Sequence, residues 1–460
     1  MTSSATRFEE LEFMGPDRDP DQLAGLQVLV LGLGTHGGGT DLIDFLHARG
    51  AQVSVSDTAS ASELSASIDL IAGKVKREQI HTGGHQPEHL DGIDWVVVNP
   101  AIPPAAAFLQ EVHLSGVRVV TELGLFLAWA PHEHLAAVTG TNGKSTVCAL
   151  VKDMLLASGV PVEVGGNFGG SLLKKLGAST EGTRWIVEIS SFQASRLGTE
   201  IPRPPLVALT CFAPDHLDWH GDEATYFQAK VNLLRGPHRK SAKVIVEKNS
   251  PFVNALDSLE TKPQVVSPEA AELLETLEPQ RISPALNGDT GHSNLELATT
   301  LARELGASIK GCRIAAEKFQ GLPHRFEFVP GKDDLVYIND SKATTPDATI
   351  SALSRLDGPV HWLCGGKDKG IDIAALVSCC KSANVSVYPY GESAGKLAHH
   401  FEGAPKFETL EQAFHDARNR ARAGETILCS PAYPSYDQFA SFEERGEVFR
   451  KLVASVTPSP

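Results

Sequence analysis

A glycine-rich stretch at residues 138–146, VTGTNGKST, carries the residue types that bind nucleotide phosphates. It ends like a P-loop, although Val138 stands where the pattern G-x-x-x-x-G-K-[ST] has its first glycine. The run LAAVTG predicts a buried strand before the turn, and VCALVKDMLLAS predicts a helix after it. Glycine lets phosphate approach backbone N–H groups, and a helix N-terminus favours negative charge. The stretch therefore predicts a phosphate site in which Lys144 supplies a cation and Ser145 a hydroxyl for magnesium.

A second glycine-rich turn, VLVLGLGTHGGG, contains Gly32, Gly34 and Gly37 in the spacing G-x-G-x-x-G. It follows an apolar run and precedes a helical pattern, and Asp57 closes the next apolar run about 20 residues later. This context is that of the dinucleotide fingerprint, which alone would favour an NAD enzyme. Only about 100 residues separate the two turns, which leaves room for roughly half of a six-stranded dinucleotide-binding sheet. Such a turn also suits the diphosphate of a UDP-sugar, or a close strand-to-helix crossing without a ligand.

Two further polar residues, Glu188 in WIVEISSFQ and His216 in APDHLDWH, stand just after apolar runs. Because α/β sheets place ligands at the carboxyl ends of parallel strands, both are candidate partners of Ser145 in a magnesium site. Imidazole is an unusual ligand for so hard a cation. The alternatives are that Glu188 pairs with an arginine and that His216 caps a helix. By its spacing alone, Lys230 in YFQAK is a solvated helix lysine.

The elements that must position these residues alternate between β-rich apolar runs and helical patterns. This alternation predicts an α/β fold with parallel sheets covered by helices on both faces, in three domains at residues 1–127, 128–322 and 323–460. The predicted strands are QVLVLG, QVSVSD, WVVVNPA and VRVVTE in the first domain, LAAVTG, RWIVEISS, PLVALTCF and AKVIVEK in the second, and LVYINDS, VHWLCGG, VSVYPYG and TILCSPA in the third. The segment QGLPHRFEFVPGKDD, with two prolines and two glycines, is the predicted joint between the last two domains.

Composition argues against several classes of protein. The chain has 460 residues, of which 42% are hydrophobic and 21% charged, so it is globular and too long for one core. Its net charge of −15, without a basic stripe, argues against a nucleic-acid partner. No apolar run approaches the roughly 20 residues of a membrane span and the N-terminus lacks a signal-peptide pattern, so we expect a cytoplasmic protein without a membrane partner. Seven cysteines without a C-x-x-C pair indicate neither a disulfide framework nor a zinc ribbon.

The chain resembles the Mur ligases in a series of motifs that occur in the same order: GTNGKST, EISSFQ, DHLD, GLPHR, NDSKAT, GGKDKG and SPAYPSYDQFASFEERG. The resemblance extends from Gly32 to Gly446, and its last motifs point to the glutamate-adding member of the family. It implies a Rossmann-like UDP-sugar-binding domain, a central P-loop-type ATPase domain and a Rossmann-like amino-acid-binding domain. It also implies a monomeric ligase that uses ATP and Mg²⁺, acts on small molecules, and adds D-glutamate to UDP-N-acetylmuramoyl-L-alanine through an acyl phosphate in peptidoglycan precursor synthesis.

The resemblance also implies roles for individual residues. The implied ATP site comprises Gly140, Thr141, Asn142, Gly143, Lys144, Ser145, Thr146, Arg325 and Asp340. The implied UDP-sugar site comprises Gly34, Thr35, His36, Asp57, Thr58, Asn99, Pro100, Asn167, Ser190 and Gln193. The implied amino-acid pocket comprises Lys342, Thr344, Lys369, Ser435 and Phe442. The implied catalytic residues are Lys144, Glu188, His216 and Lys230, and the implied metal-site residues are Ser145, Glu188, His216 and Lys230, where Lys230 matches the family's carbamylated lysine.

Several positions depart from the family pattern. Residues 292–296 read HSNLE where the family has H-N-x-x-N, which predicts altered adenine binding. Tyr433 and Pro434 replace small residues, which predicts a reshaped amino-acid pocket. Two asparagines and an arginine of the family are replaced by Cys211, Thr345 and Trp219.

Three alternatives of different kinds stay open. A ligase of the same architecture that adds L-glutamate, or that uses another acceptor, fits the same motifs. An NAD-dependent oxidoreductase would use the turn from Gly32 to Gly37, but it leaves the phosphate loop and NDSKAT without a role. A catalytically inactive binding protein is disfavoured because the set of cationic residues is intact.

Overall fold

A computed structural model describes most of the chain. The described residues are 11–35, 37–177, 179–235, 243–247, 250–257, 263–265, 273, 277, 286, 288–368, 370, 372–382, 384–401 and 403–456. Two of the predicted site residues, His36 and Lys369, lie outside the described residues. Within the described ranges no helix is both long and apolar enough to cross a membrane.

The first sheet is parallel and has five strands. These are β1 Gln27–Leu31, β2 Gln52–Ser56, β3 Ile80–His81, β4 Trp95–Val98 and β5 Arg118–Val120, in the spatial order β3-β2-β1-β4-β5. The helices of this part are α1 Gly38–Ala48, α2 Ser65–Leu70, α3 Ala107–Ser115 and α4 Glu122–Trp129. In β1, Val28 and Val30 pack into one apolar cluster while Leu29 and Leu31 pack into another. Both faces of the sheet are therefore buried, as in doubly wound folds.

The central sheet is also parallel. Its strands are β6 Leu135–Thr139, β7 Val162–Gly166, β8 Arg184–Glu188, β9 Leu206–Leu209, β10 Lys243–Val246 and β11 Pro263–Val265, in the order β11-β10-β9-β6-β8-β7. Its helices are α5 Lys144–Ala157, α6 Leu172–Leu176, α7 Ser191–Ala194, α8 Leu217–His220, α9 Glu223–Val231, α10 Phe252–Asp257, α11 Gly288–Glu304 and α12 Ile309–Lys318. Because β6 lies between β8 and β9, the loops after these three strands meet at one edge of the sheet, where such folds bind ligands.

The third sheet carries one antiparallel edge strand. Its strands are β12 Glu327–Val329, β13 Val336–Asn339, β14 Val360–Gly365, β15 Val385–Tyr390 and β16 Thr426–Ala432, in the order β12-β13-β16-β14-β15. Its helices are α13 Pro346–Leu353, α14 Ala374–Ser382, α15 Ala394–His400, α16 Leu410–Arg420 and α17 Phe442–Ala454. Only the β12–β13 pair is antiparallel among these described strands. Alternate residues of β14 enter different apolar clusters, Trp362 one and Leu363 the other, so this sheet is covered on both faces.

Contacts between Cα atoms divide the chain into two compact units. The first contains the described residues of 1–278 and 293–316, with the first and central sheets, and the second contains those of 279–292 and 317–460, with the third sheet. Short 3₁₀ helices lie at Pro20–Gln22, Arg77–Gln79, Pro87–Leu90, His132–His134 and Asn232–Leu234. All seven cysteines are free thiols and five of them are buried, in keeping with small apolar packing residues.

Each of the twelve predicted strands coincides with an observed strand, and the predicted fold class is confirmed. Four observed strands, β3, β7, β11 and β12, were not predicted. The first sheet has five strands rather than half of a six-stranded sheet, because its strands are only two to five residues long. Strand β12 lies within the segment predicted as a joint, because pairing with β13 outweighs the turn-forming residues around it.

Candidate active site

The phosphate loop follows β6 in the interior of the central sheet. Gly140 and Gly143 have φ values of 147° and 86°, and Gly143 directly precedes α5. A β-carbon at Gly140 would lie 1.9 Å from Thr210 Oγ1, and one at Gly143 would lie 2.3 Å from Asn294 Oδ1. Neither position therefore accepts a side chain, and the N-terminus of α5 follows a turn that only glycine can form.

Lys144, the first residue of α5, folds back over this loop. Its ammonium group donates to Gly140 O at 3.0 Å and to Thr141 O at 2.8 Å. The Thr210 hydroxyl donates to Asn142 O at 2.6 Å and thereby ties the loop to the end of β9. Ser145 follows Lys144 and is 4% exposed. A cation and a helix N-terminus meet here, which is the arrangement that binds phosphate.

Lys230 lies on α9 and is 1% exposed, so its interpretation as a solvated helix lysine is wrong. Its Nζ donates to Gly140 O at 2.8 Å and lies 4.2 Å from the ring centroid of Tyr226. Burial, and then the positive charge of Lys144, lower the pKa of Lys230 from 10.5 to about 7. A lysine with this pKa is partly an uncharged, nucleophilic amine at neutral pH.

Glu188 ends β8 next to the phosphate loop strand and is 1% exposed. Its Oε1 accepts a hydrogen bond from Asn167 Nδ2 at 2.7 Å, so its described partner is an amide and not an arginine. Its Oε2 is buried and has no hydrogen-bond partner in the described part of the protein. A buried carboxylate oxygen without a partner is unfavourable, and a hard cation would satisfy it. Glu188 therefore fits a divalent metal ion such as Mg²⁺, and Ser145 stays a predicted partner in that site.

His216 follows β9 and directly precedes α8, with a φ of 52°. It occupies the position of a helix cap, but its side chain makes no capping hydrogen bond. Its Nε2 lies 3.4 Å from Asp215 Oδ2, and its ring centroid lies 4.8 Å from that of Phe192. Among the described residues, no three His, Cys, Asp or Glu side chains are grouped closely enough to hold a metal ion. The predicted metal-site residues therefore form no such group, and their role in binding Mg²⁺ stays a prediction.

The N-terminal glycine turn is held by Asp57, which ends the predicted fingerprint. Gly34 has a φ of 65° and its N–H donates to Asp57 Oδ2 at 3.0 Å. Asn99 Nδ2 donates to Gly32 O at 3.1 Å from the neighbouring strand end. These two hydrogen bonds join the loops that follow β1, β2 and β4 at one edge of the first sheet. Three more predicted residues, all partly or fully exposed, lie on the same loops: Thr35, Thr58 and Pro100.

Arg196, which the sequence analysis did not identify, supports this edge from the central part of the same unit. It is 3% exposed, and its Nη1 donates to Asn99 O at 2.6 Å while Nη2 donates to Ile102 O. Its guanidinium carbon lies 5.6 Å from the ring centroid of Trp219, one of the residues that depart from the family pattern. Burial lowers the pKa of Arg196 to about 10. Nothing in its local sequence distinguishes it from a surface arginine, because its partners are about 95 residues away.

A cavity lies between the start of α1 and the loops that follow β7 and β8. Two predicted acceptor residues, Asn167 and Gln193, line it together with Gly37 and Gly38 at the start of α1. Ser190, a third predicted residue, donates through its N–H to Gln193 Oε1 at 3.0 Å and so fixes the amide. The structure thus brings a helix N-terminus and two amide side chains to one pocket.

Glu122 also lines this cavity and was not predicted. Its Oε1 accepts from Ser171 Oγ at 2.5 Å, across from α4 to the start of α6. Burial, with a smaller contribution from the Asp41 carboxylate, outweighs the lowering effect of the Ser171 hydroxyl and raises the pKa of Glu122 to about 7. The wall of the cavity therefore carries a carboxyl group that is largely protonated below neutral pH.

In the second unit, Asp340 directly follows β13 and is 6% exposed. Its carboxylate accepts from Phe326 N–H at 3.0 Å and from Ser430 Oγ at 2.8 Å. Burial raises its pKa to about 6, against the lowering effect of Ser430. Arg325 stands between two residues with positive φ, His324 at 60° and Phe326 at 46°. Positive φ is unfavourable for both residue types, so the surroundings hold Arg325 in a strained loop.

The predicted amino-acid residues of the second unit lie on neighbouring loops. Lys342 Nζ lies 5.6 Å from the ring centroid of Phe442, and Thr344 N–H donates to Lys342 O at 2.9 Å. Ser435 is 2% exposed, and its carbonyl accepts from Phe439 N–H at 2.9 Å. Lys342, Thr344 and Phe442 are thus brought together, while the described contacts of Ser435 are within its own loop.

Several of the residues that depart from the family pattern lie in or next to the loops described above. Cys211 Sγ lies 3.6 Å from Asn142 O in the phosphate loop, and the Thr345 hydroxyl caps α13. Tyr433 is fully buried in an apolar cluster of the third sheet. Within residues 292–296 it is Asn294, which the sequence analysis did not select, that packs against the phosphate loop.

Three family profiles match successive parts of the chain. They are described as Mur ligase MurD-like, N-terminal domain, at residues 26–121, Mur ligase middle domain at residues 138–299, and Mur ligase, glutamate ligase domain, at residues 324–433. A curated relative, the UDP-N-acetylmuramoylalanine--D-glutamate ligase of Roseiflexus sp. (strain RS-1), is 32% identical over 469 residues, which are 95% of this chain and 100% of the relative.

Two solved structures of similar fold are a ligase and a bifunctional synthase. UDP-N-acetylmuramoylalanyl-D-glutamyl-2,6-diaminopimelate--D-alanyl-D-alanyl ligase from Acinetobacter baumannii has a TM-score of 0.53 at 13% identity, over 94% of this chain and 91% of that chain. A bifunctional folylpolyglutamate synthase/dihydrofolate synthase from Yersinia pestis, complexed with AMPPNP and Mn ion, has a TM-score of 0.52 at 22% identity, over 72% and 91%. At these identities the likeness concerns the fold, and with the three profiles it agrees with the predicted three-domain α/β architecture.

Proposed function

The chain belongs to the Mur ligase family, and we propose that it is the ATP-dependent amide ligase that joins D-glutamate to UDP-N-acetylmuramoyl-L-alanine in peptidoglycan precursor synthesis. One observation carries the catalytic part of this proposal. The buried amine of Lys230 and the ammonium of Lys144 both contact Gly140 O, at the point where a glycine turn enters α5. Positive charge and a helix N-terminus at one turn suit a reaction that moves a phosphoryl group.

Activation of the acceptor is the first proposed step. A carboxylate is a poor electrophile, so an oxygen of the alanine carboxylate attacks the γ-phosphorus of ATP, the bond to the β-phosphate oxygen breaks, and ADP leaves. Lys144 and the N–H groups of the phosphate loop offset the charge that develops on the phosphoryl oxygens. The product of this step is an acyl phosphate, in which phosphate is a good leaving group.

Amide formation is the second proposed step. The amine of glutamate attacks the activated carbonyl carbon, and the tetrahedral intermediate collapses with loss of phosphate and of the amine proton. Lysine ammonium groups near the reacting carbon stabilise the negative charge of that intermediate. We propose that Lys342, Thr344, Lys369, Ser435 and Phe442 bind the incoming amino acid and that Arg325 and Asp340 contact ATP, as the family resemblance implies.

We propose that Ser145 and Glu188 hold Mg²⁺, together with His216 and Lys230. The unpartnered Oε2 of buried Glu188 supports a cation at this position. When bound, Mg²⁺ supplies Lewis-acid stabilisation of charge on phosphoryl oxygens. Lys230 would contribute as a carbamate, because its uncharged amine can form an N–C bond to CO₂ and release a proton, which replaces a repelled cation by an anion.

We propose that the acceptor binds to the first unit. The glycine turn at Gly34 and the start of α1 suit a diphosphate, and the cavity lined by Asn167 and Gln193 suits the sugar and its alanine. The predicted residues Thr35, His36, Asp57, Thr58, Asn99, Pro100 and Ser190 complete this proposed site. The predicted monomeric state, the cytoplasmic location and the lack of nucleic-acid and membrane partners stay predictions.

Phosphate release from ATP tests this function. We expect release that requires Mg²⁺, UDP-N-acetylmuramoyl-L-alanine and D-glutamate together, with a product heavier by one glutamate residue in mass spectrometry. L-glutamate is the matched control, because it differs in stereochemistry alone. Phosphate release with L-glutamate but not with D-glutamate would show that the substrate is L-glutamate and not the proposed D-glutamate. Phosphate release with neither enantiomer would refute the proposed ligase activity.

A further inference from the structure

Arg445 is a fully buried arginine near the start of α17, with 0% of its surface exposed. Its Nε donates to Ser341 Oγ at 2.9 Å and its Nη2 to Ser341 O at 2.9 Å. Its Nη1 donates to Tyr433 O at 3.0 Å and to Gly365 O at 3.4 Å. One rigid guanidinium thus contacts the ends of three separate strands of the third sheet, β13, β14 and β16.

The segments that Arg445 joins are those that carry the proposed amino-acid pocket. Ser341 directly precedes Lys342, and its hydroxyl also donates to Phe442 O at 2.8 Å. Tyr433 lies two residues before Ser435, and Gly365 is the last residue of β14. The described segments of that pocket, those of Lys342, Phe442 and Ser435, therefore each lie within a few residues of a hydrogen bond that involves Arg445 or its partner Ser341.

Arg445 is held by hydrogen bonds and not by an ion pair within the described residues. All four of its hydrogen bonds go to neutral oxygens, and in the described part of the chain no acidic side chain pairs with it. It also lies in the first turn of α17, where the helix dipole disfavours a cation. A buried cation is costly without an anion nearby, whereas a methionine or leucine would fill the same volume without that cost.

We propose that Arg445 is a positioning residue for the incoming amino acid: it fixes the loops of Lys342, Phe442 and Ser435 through its hydrogen bonds to Ser341 and Tyr433. This inference rests on the proposed ligase function and deepens it. The guanidinium is fully buried, so it acts through the loops it holds rather than by touching the substrate.

The test compares steady-state kinetics of Arg445→Met, Arg445→Lys and a control, Phe449→Leu, in the phosphate-release assay. Phe449 lies one turn further along α17 and is also fully buried, but it packs against Phe414 in an apolar cluster and forms no hydrogen bond to these loops through its side chain. We expect Arg445→Met to raise the KM for D-glutamate about 100-fold, the order expected when positioned groups move by about 1 Å. Arg445→Lys keeps the positive charge but loses the planar guanidinium group with its several N–H donors, so we expect the KM for D-glutamate to rise about tenfold. The KM values for ATP and for the acceptor should stay within about threefold of wild type in all variants.

Melting temperatures of the same variants separate positioning from simple destabilisation. If Phe449→Leu lowers the melting temperature as much as Arg445→Met but leaves the KM for D-glutamate unchanged, the positioning role is supported. Equal KM values for D-glutamate in Arg445→Met and Phe449→Leu would overturn it, and Arg445 would then be a structural residue only. A wild-type protein without glutamate-dependent phosphate release would instead refute the proposed function, and the assignment of Arg445 with it.

Discussion

Replacing Lys230 by methionine is expected to abolish ligation and at the same time to stabilise the fold. Methionine has nearly the length of lysine and no charge, so it can fill the site beside Tyr226 without a buried cation. The substitution removes the amine that the proposed mechanism uses as a carbamate. We expect the rate of glutamate-dependent phosphate release to fall roughly 100- to 1,000-fold, as for other single groups that stabilise charge in a transition state.

The expected gain in stability follows from the lowered pKa of Lys230. Burial lowers this pKa from 10.5 to about 7, so between pH 7 and 10.5 the unfolded chain holds a proton that the folded protein has released. The free energy of unfolding therefore rises with pH in this window, by at most ~1.4 kcal/mol per pH unit from this residue. At pH 8 the shifted pKa still costs the folded state about 3 kcal/mol. Loss of the hydrogen bond to Gly140 O costs the variant about 1 kcal/mol, which leaves a net gain of about 2 kcal/mol.

Urea denaturation between pH 7 and 10, in buffer free of carbon dioxide and metal ions, measures this effect. The matched control is Lys152→Met on α5, where the lysine is exposed and the same change should alter the unfolding free energy by less than about 0.5 kcal/mol. The variant at Lys230 should lose the rise in stability that wild type shows in this pH range. Wild-type activity in the variant, or an unchanged pH dependence of its stability, would refute the reasoning.

Three other substitutions test separate parts of the molecule. Lys144→Met should remove phosphate release because the ammonium group of Lys144 compensates phosphate charge, while loss of its hydrogen bonds to Gly140 O and Thr141 O should lower the melting temperature by only a few degrees; activity within tenfold of wild type would contradict the phosphate loop. Gly34→Val, at a φ of 65°, should weaken acceptor binding much more than ATP binding in calorimetry, because a side chain strains the turn and blocks the approach of the diphosphate; equal weakening would argue against separate sites. Burial raises the pKa of Asp340 from 3.8 to about 6, so the folded protein holds the extra proton and wild-type stability should fall from pH 4 to 6. In urea denaturation, Asp340→Asn should reduce this fall in unfolding free energy between pH 4 and 6. A fall as steep as that of wild type would show that other groups cause the pH dependence.

The twelve predicted strands and the phosphate turn were accessible from sequence because their signals are local. An apolar run followed by closely spaced glycines and a helical pattern specifies strand, turn and helix within about 20 residues. The strands that the sequence did not predict include very short ones. Strand β3 has two residues and β12 has three, so neither carries an alternating pattern that a sequence can reveal, and each exists because a neighbouring strand offers hydrogen bonds.

What the sequence by itself determined is the alternation of strands and helices, the two glycine turns and, through its motifs, the family. What only the tertiary structure decided is the environment of single side chains. Lys230 has the spacing of a solvated lysine, yet its ammonium meets Gly140 O across 90 residues and is buried there. The same holds for Glu188 with its unpartnered oxygen, and for Arg445, whose partners are 12 to 104 residues away. The physical reason is that burial, and with it the pKa and the cost of a charge, depends on which distant segments pack together, and no local pattern carries that information.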